Sequence, residues 1–191
     1  MSGNSRRGAP PDRRALRTRA ALGQALMTLG TERGVDAVTV GELTRRAGVG
    51  RSTFYAHYAD KGDFLAASFV GMISMMERRA AAEPGRDDVL PTRQILAHVG
   101  EAGGFAAAVL RSRELPRMLA AGEARLRQIA EANLAERAPG LAPDRRRDLA
   151  VFLAGGFMGL LRWWMETGLR REPAQMQAAW RALAEPLLAT L

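Results

Sequence analysis

Apolar residues recur at helical spacing along almost the whole chain, and no stretch shows the two-residue alternation of a half-buried strand. Leu22, Ala25, Leu26 and Leu29 fall at i, i+3, i+4 and i+7 and predict a helix over about residues 12–33, closed by Gly34. Thr39-Val40-Gly41-Glu42 has the T-x-x-E form of a capping box, with Val40, Leu43 and Ala47 as the inner face of a second helix that ends at Gly48. A third short helix is expected over about 51–58. Two short helices joined by a Gly-containing turn of three to four residues form a helix-turn-helix. Asp60 is placed to cap a fourth helix reaching about residue 82, with Phe64, Leu65, Phe69, Met72, Ile73 and Met76 apolar. Further helices are predicted over about 89–102, 104–112, 114–137 and 143–170. A last one opens at Pro173, where Met176, Trp180, Leu183 and Leu187 recur at helical spacing. Pro186 should bend or end it one turn before the terminus. The fold class is all-α, with about nine helices.

Composition narrows the chemistry. The 191 residues contain no cysteine, which excludes a disulfide scaffold, a thiol nucleophile and a Cys-type zinc site. Two histidines, His57 and His98, are too few for a His-rich metal centre. No P-loop, H-E-x-x-H, Rossmann glycine string or Ser-His-Asp order is present, so neither an enzyme nor a cofactor is expected. The most apolar run, Leu149 to Leu161, is too short to span a bilayer. Arg6 and Arg7 are followed by Ala9-Pro10-Pro11-Asp12 rather than by the apolar core of an export signal, so a cytoplasmic location is expected.

Charge changes the picture more. Basic side chains number 28 and acidic ones 20, a formal net charge of +8. Residues 1–61 hold eleven basic side chains against five acidic ones, so three quarters of the surplus lies in the first third. That asymmetry points to a polyanion-binding module joined to a near-neutral body. Residues 1–11, rich in Gly, Ser, Pro and Arg, read as a disordered basic tail.

The stretch TVGELTRRAGVGRSTFYAHYADK, Thr39 to Lys61, resembles the DNA-binding domain of TetR-type transcriptional regulators over about residues 15–65. The likeness rests on Gly34, Thr39-Val40, Leu43, Arg46-Ala47-Gly48-Val49, Thr53-Phe54-Tyr55, His57-Tyr58 and Lys61. It implies a short third helix seated in the major groove, with Arg51, Ser52 and Thr53 toward the bases. Arg51 can pair bidentately with guanine or hold a phosphate. Tyr55 and His57 should reach phosphate or sugar. Lys61 matches the family's phosphate-binding lysine, and Thr39 at the start of the second helix adds a further phosphate site. Arg13, Arg14, Arg17 and Arg19 should add non-specific affinity. Phe54, Tyr58, Val49 and Leu43 are expected in the core. Two residues depart from the family pattern, Gly30 in place of an aromatic and Gly62 in place of a helix former. Both are expected to loosen local packing and make the module mobile.

The resemblance further implies a bacterial ligand-responsive repressor, with a helix-turn-helix domain over 12–61 and an effector-binding and dimerisation domain over 62–191. Its partners would be a palindromic double-stranded operator, a second copy of the chain and a small, largely apolar effector, with no membrane. Candidate pocket residues are Met72, Met75, Met76, His98, Phe105, Phe157, Arg162, Trp163 and Trp164. Candidate dimer residues are Phe152, Gly155, Gly159, Trp180, Leu183 and Leu187. The competing reading is a constitutive or architectural DNA-binding dimer without an effector.

Overall fold

The computed structural model describes residues 13–83 and 88–189. The tail expected over 1–11 lies outside them, as do the side chains of Arg13 and Arg14. Among the described residues there are nine α-helices and one 3-10 turn: α1 Arg13–Arg33, the turn Val35–Ala37, α2 Val40–Ala47, α3 Arg51–Tyr55, α4 Lys61–Ala81, α5 Thr92–Glu101, α6 Gly103–Leu110, α7 Leu115–Arg137, α8 Pro143–Glu166 and α9 Pro173–Leu188. None of them is long and apolar enough to cross a membrane.

Local signals set most of the ends. Gly34 takes φ 84° and releases the chain from α1. Gly48, at φ 64°, closes α2 with the paired bonds of a Schellman turn, Gly48 N–H to Arg45 O at 3.2 Å and Val49 N–H to Thr44 O at 2.9 Å. A β-branched or other L residue at position 48 would strain the turn that aims α3. Two predicted ends shift. Helix α3 stops at Tyr55 rather than Tyr58, the chain continuing as hydrogen-bonded turns through His57 and Tyr58. Helix α8 stops at Glu166 rather than about residue 170, because Gly168 and Leu169 both adopt positive φ and repeat the Schellman pattern. Pro186 neither ends nor interrupts α9, which runs to Leu188. Ala182, whose carbonyl loses its helical donor there, is on the exposed side of the helix, where water can replace it.

Two apolar cores follow. The larger joins α4, α5, α7, α8 and α9 around Ile73, Leu96, Leu126, Leu153, Phe157 and Trp164. The smaller lies under the helix-turn-helix, where Phe54, Tyr58 and Phe64 meet with ring centroids 5.0–5.7 Å apart. It does not stop at residue 61. Phe64 and Leu65 of α4, Ala108 and Val109 of α6 and Met118 of α7 complete it, and Phe69 packs against both cores.

The two unexpected glycines are docking notches rather than weak points. A Cβ on Gly30 would stand 2.9 Å from Cε2 of Phe105, so the aromatic that the family carries in α1 is replaced by an aromatic from α6. A Cβ on Gly62 would collide with the carboxylate of Glu114, which precedes α7, and with the Arg117 guanidinium in its first turn. The expected loss of local packing at these two glycines is therefore corrected: absent side chains on one partner make room for side chains of the other.

Candidate nucleic-acid interface

Helix α3 begins at Arg51 after the Val49-Gly50 turn, and its length and phase decide what is presented. Phe54 points inward and is fully buried. Arg51, Ser52 and Tyr55, at i, i+1 and i+4, share the outer face and are exposed, as are Ala56 and His57; Thr53 is half-buried. The Tyr55 ring stands edge-on to Phe54 at 5.4 Å, which fixes its direction while leaving the hydroxyl outward. Arg45 and Arg46, at the end of α2, are exposed beside this face. Among the described residues, Arg45, Arg46 and Arg51 have no side-chain partner within the protein. Three unpaired guanidinium groups next to a short outward helix form a cationic surface able to neutralise phosphates and reach base edges. Arg17 and Arg19 are also exposed, and Arg19 Nε additionally donates to the Tyr58 hydroxyl at 3.3 Å.

Thr39 caps α2. Its Oγ1 accepts from Glu42 N–H at 3.2 Å, while its own N–H and hydroxyl donate to Glu42 Oε2 at 3.0 and 2.9 Å. Arg33 Nη1 donates to the other carboxylate oxygen at 2.9 Å. The Thr39 N–H, Arg33 and the Thr39 hydroxyl together hold the Glu42 pKa down, from an ordinary 4.5 to about 2. A carboxylate whose folded pKa is depressed stabilises the fold fully above its unfolded value and loses that contribution as pH falls through its folded value. Wild type should therefore be more stable than Glu42→Gln above pH 4.5, and the two should converge as pH approaches 2. Urea unfolding at a series of pH values measures this.

Lys61 corrects the sequence expectation. All three of its ammonium hydrogens are used inside the protein: Nζ donates to Val35 O at 3.0 Å, Asp36 O at 3.0 Å and Val38 O at 2.9 Å. It ties the first turn of α4 to the 3-10 turn before α2 and is not aimed at a phosphate. Burial lowers its pKa, with Asp36 and Glu114 partly opposing.

Two carboxylates attach this module to the body. Asp36 accepts from Ser112 Oγ at 2.7 Å and from Arg113 N–H at 3.1 Å, and these contacts, the Ser112 bond first, lower its pKa despite burial. Asp60 caps α4 through Asp63 N–H at 2.7 Å and pairs with Arg117 Nη1 at 2.9 Å. The cap at Asp60 is legible in the sequence, but the ties of Asp36 and Asp60 to the body are not. Their partners lie 57 to 77 residues further along the chain.

Above the module lies a cavity of about 210 Å³. Its walls come from α1 (Gly23, Leu26, Met27), α4 (Leu65, Ser68, Phe69, Met72), α5 (His98, Val99), the junction at Ala102, α6 (Phe105, Ala106, Val109), α7 (Leu115, Met118, Leu119) and α8 (Leu161, Met165). Of the sequence-predicted pocket residues, Met72, His98 and Phe105 line it. The other six do not, and helical phase is the reason. Leu161 and Met165, four apart, face the cavity. Arg162 and Trp163 lie about 100° and 200° further round and point outward, Arg162 to Glu166 at 2.7 Å and Trp163 under the Arg171 guanidinium at 5.1 Å. Trp164 faces the body core, its Nε1 donating to Arg171 O at 2.9 Å. Met76 and Phe157 are core, and Met75 packs against it. Most of the missed lining residues are leucines, valines and alanines, whose sequence pattern is that of any buried face.

The candidate dimer residues divide likewise. Phe152 is 62% and Leu183 64% exposed, Leu187 is also exposed, and Gly159 has open space where a side chain would be. Gly155 is half-buried. Trp180 is corrected to the monomer core, where it meets Phe157 edge-on at 5.3 Å.

Residues 24–68 match the bacterial regulatory proteins of the tetR family. YxbF, an uncharacterized HTH-type transcriptional regulator of Bacillus subtilis (strain 168), is 40% identical over 55 residues, a stretch that makes up 28% of this chain and only 14% of that relative's length. Solved structures resemble the chain over nearly its whole length. Thermus thermophilus FadR, a TetR-family repressor in complex with lauroyl-CoA, is 19% identical with a TM-score of 0.63, over 87% of this chain and 92% of that one. The TetR-family repressor AlkX from Dietzia is 16% identical with a TM-score of 0.61, over 88% and 97%. At such identities the likeness is one of fold. The family match thus covers the helix-turn-helix and the fold likeness covers the rest: residues 24–68 are a TetR-type helix-turn-helix, carried on a chain whose all-α fold resembles that of TetR-family proteins.

Proposed function

We propose that the chain is a homodimeric repressor that grips a palindromic operator and is released from it by a small, largely apolar effector. The observation that carries this reading is the cavity of about 210 Å³, walled almost wholly by apolar side chains and adjoining the DNA-binding module. A constitutive regulator has no use for such a space, and a protein interior otherwise closes up to avoid the lost contacts. The FadR neighbour in complex with lauroyl-CoA supports an effector with an apolar chain. The functional division we adopt is a DNA-binding domain over 12–61 and an effector and dimerisation domain over 62–191, acting in the cytoplasm.

The dimer is assigned to the outer faces of α8 and α9. Phe152, Gly156, Gly159 and Trp163 form one exposed stripe of α8 at i, i+4, i+7 and i+11, and Leu183 and Leu187 lie on the outer face of α9. A contiguous apolar face of this kind is uncommon on a monomer, and a two-fold pairing of it would make a four-helix interface. Binding would then place two copies of α3 about one DNA turn apart or somewhat more. Arg51, Ser52 and Thr53 are assigned to base edges, and Thr39, Tyr55 and His57 to phosphate or sugar, with Arg45 and Arg46 added to the phosphate contacts.

The test is selection of bound duplexes from a random library at low and at physiological salt. An enriched palindrome that survives physiological salt is expected. Enrichment of an asymmetric site overturns the dimer, and salt-labile binding without enrichment overturns specific regulation. On the selected operator, Arg51→Ala should cost about 1–3 kcal/mol and relax the preference at one base position in each half-site, as read by repeating the selection with the variant.

A further inference from the structure

The cavity is not enclosed by the body alone. Gly23, Leu26 and Met27 give it a wall on α1, the helix on which α2 packs. Leu26 has one side in the core of the helix-turn-helix and the other on the cavity. At Gly23 the wall is bare backbone, and a Cβ added there meets nothing within 4 Å. Phe105 links the two further, since the same ring lines the cavity and fills the notch at Gly30 of α1. A chain long enough to fill this space therefore touches the DNA-binding module without an intervening helix.

The lining also constrains the chemistry of that molecule. No Lys, Arg, Asp or Glu contributes to it. Two side chains carry polar atoms, Ser68 and His98, and the Ser68 hydroxyl is buried with no hydrogen-bond partner. Burial lowers the His98 pKa below its ordinary 6.5, against the pull of Glu101 and with Arg79 adding to the shift, so the imidazole is neutral at pH 7 and offers a carboxylate no counter-charge. An ionised group buried against these walls would lose its hydration without compensation. Four methionines in the walls suit a flexible chain better than one rigid shape.

We propose that this cavity is a ligand site shared by the DNA-binding module and the body, that it takes a neutral, mainly aliphatic chain carrying one hydroxyl or carbonyl group, and that the bound chain lies directly against α1. The proposal rests on the effector reading above and adds to it the ligand class and the point of action. An orphan hydroxyl and a neutral imidazole give the single polar group its partners, and the remaining surface gives the chain its burial. Because the ligand occupies space beside Leu26 and Phe105, it acts on the packing of α1 at its source.

The test uses the full chain, with 1-decanol and decanoate as probes. Calorimetry should show 1-decanol binding at least tenfold more tightly than decanoate at pH 8. Hydrogen exchange read by mass spectrometry should slow in peptides spanning residues 22–29 when 1-decanol is bound. A Cβ at position 23 meets nothing within 4 Å, so Gly23→Leu should keep the unfolding temperature while weakening 1-decanol tenfold or more and leaving 1-hexanol within twofold. Ser68→Ala should weaken 1-decanol severalfold. If 1-decanol binds but neither α1 exchange nor Gly23→Leu matters, the shared site is overturned and the effector reading stands. If decanoate binds as tightly or more tightly, the neutral class is overturned. If neither probe binds, the ligand proposal fails as a whole, and release of the operator by another compound would show that the effector reading survives it.

Discussion

Lys61→Ala is expected to lower the melting temperature of the free protein by about 6–12 °C, in the absence of any DNA, at roughly 2–4 °C per kcal/mol for a chain of this size. The loss follows from the geometry of the ammonium group. Three carbonyls, of Val35, Asp36 and Val38, each receive one of its hydrogens. Hydrogen bonds to a charged donor contribute about 1.5–3 kcal/mol each when buried. Lys61 is only half-buried, so water recovers part of this, and a net loss of about 3 kcal/mol remains. The variant also discriminates between two roles. A lysine that binds phosphate would leave the free protein's stability unchanged, weaken operator binding and reduce the salt dependence by about one counterion. A lysine that ties α4 to the turn before α2 lowers stability first and leaves the salt slope of the folded fraction unchanged. Melting curves without DNA, followed by a salt titration on the selected operator, separate the two.

Trp164→Ala and Trp163→Ala should diverge sharply although they are neighbours. Trp164 is 1% exposed, sits in the body core and donates its indole N–H to Arg171 O at 2.9 Å. Its removal leaves a large cavity and an orphaned carbonyl, so a loss of about 3–5 kcal/mol is expected, enough to unfold much of the body at physiological temperature. Trp163 is 42% exposed and makes one cation–π contact with Arg171. Alanine there should change the stability of the isolated chain by less than about 1 kcal/mol. Its effect should appear in self-association instead, as a dimer dissociation constant raised tenfold or more, since tryptophans on an apolar interface are frequent hot spots. Chemical unfolding and sedimentation equilibrium measure the two effects separately. A Trp163→Ala protein with altered ligand affinity but unchanged association would return this residue to the cavity and displace the dimer assignment.

The contrast between these tryptophans shows where sequence reading stopped. Both were candidates for the pocket because an aromatic in an apolar helix suggests a lined cavity. Neither faces it, because α8 is apolar over most of its length and its own pattern does not say which side meets α7, which meets α9 and which stays outside. The same ambiguity placed Trp180 in the dimer face when it packs against Phe157. In the helix-turn-helix the outcome was different. The capping box at Thr39, the left-handed glycine at 48 and the alternation of buried Phe54 with exposed Arg51, Ser52 and Tyr55 were all readable. Each of these depends on residues within four or five positions of one another.

Short-range chemistry therefore determined, from the sequence alone, that the chain is helical, where most helices begin and end, and which few residues stand on the outer face of α3. Caps, turns and periodic burial act over one or two helical turns, and their signals survive without knowledge of the rest of the molecule. What only the tertiary structure decided involves partners distant in sequence. Lys61 became an internal tie because three carbonyls 23 to 26 residues earlier in the chain converge on it. Gly30 and Gly62 became notches because Phe105 of α6 enters one, and Glu114 and Arg117 at the start of α7 enter the other. The cavity gained a wall from α1 because the module's core continues into the body through Val109 and Met118. An absent side chain or an unpaired ammonium has no meaning in the sequence until packing supplies the group that meets it.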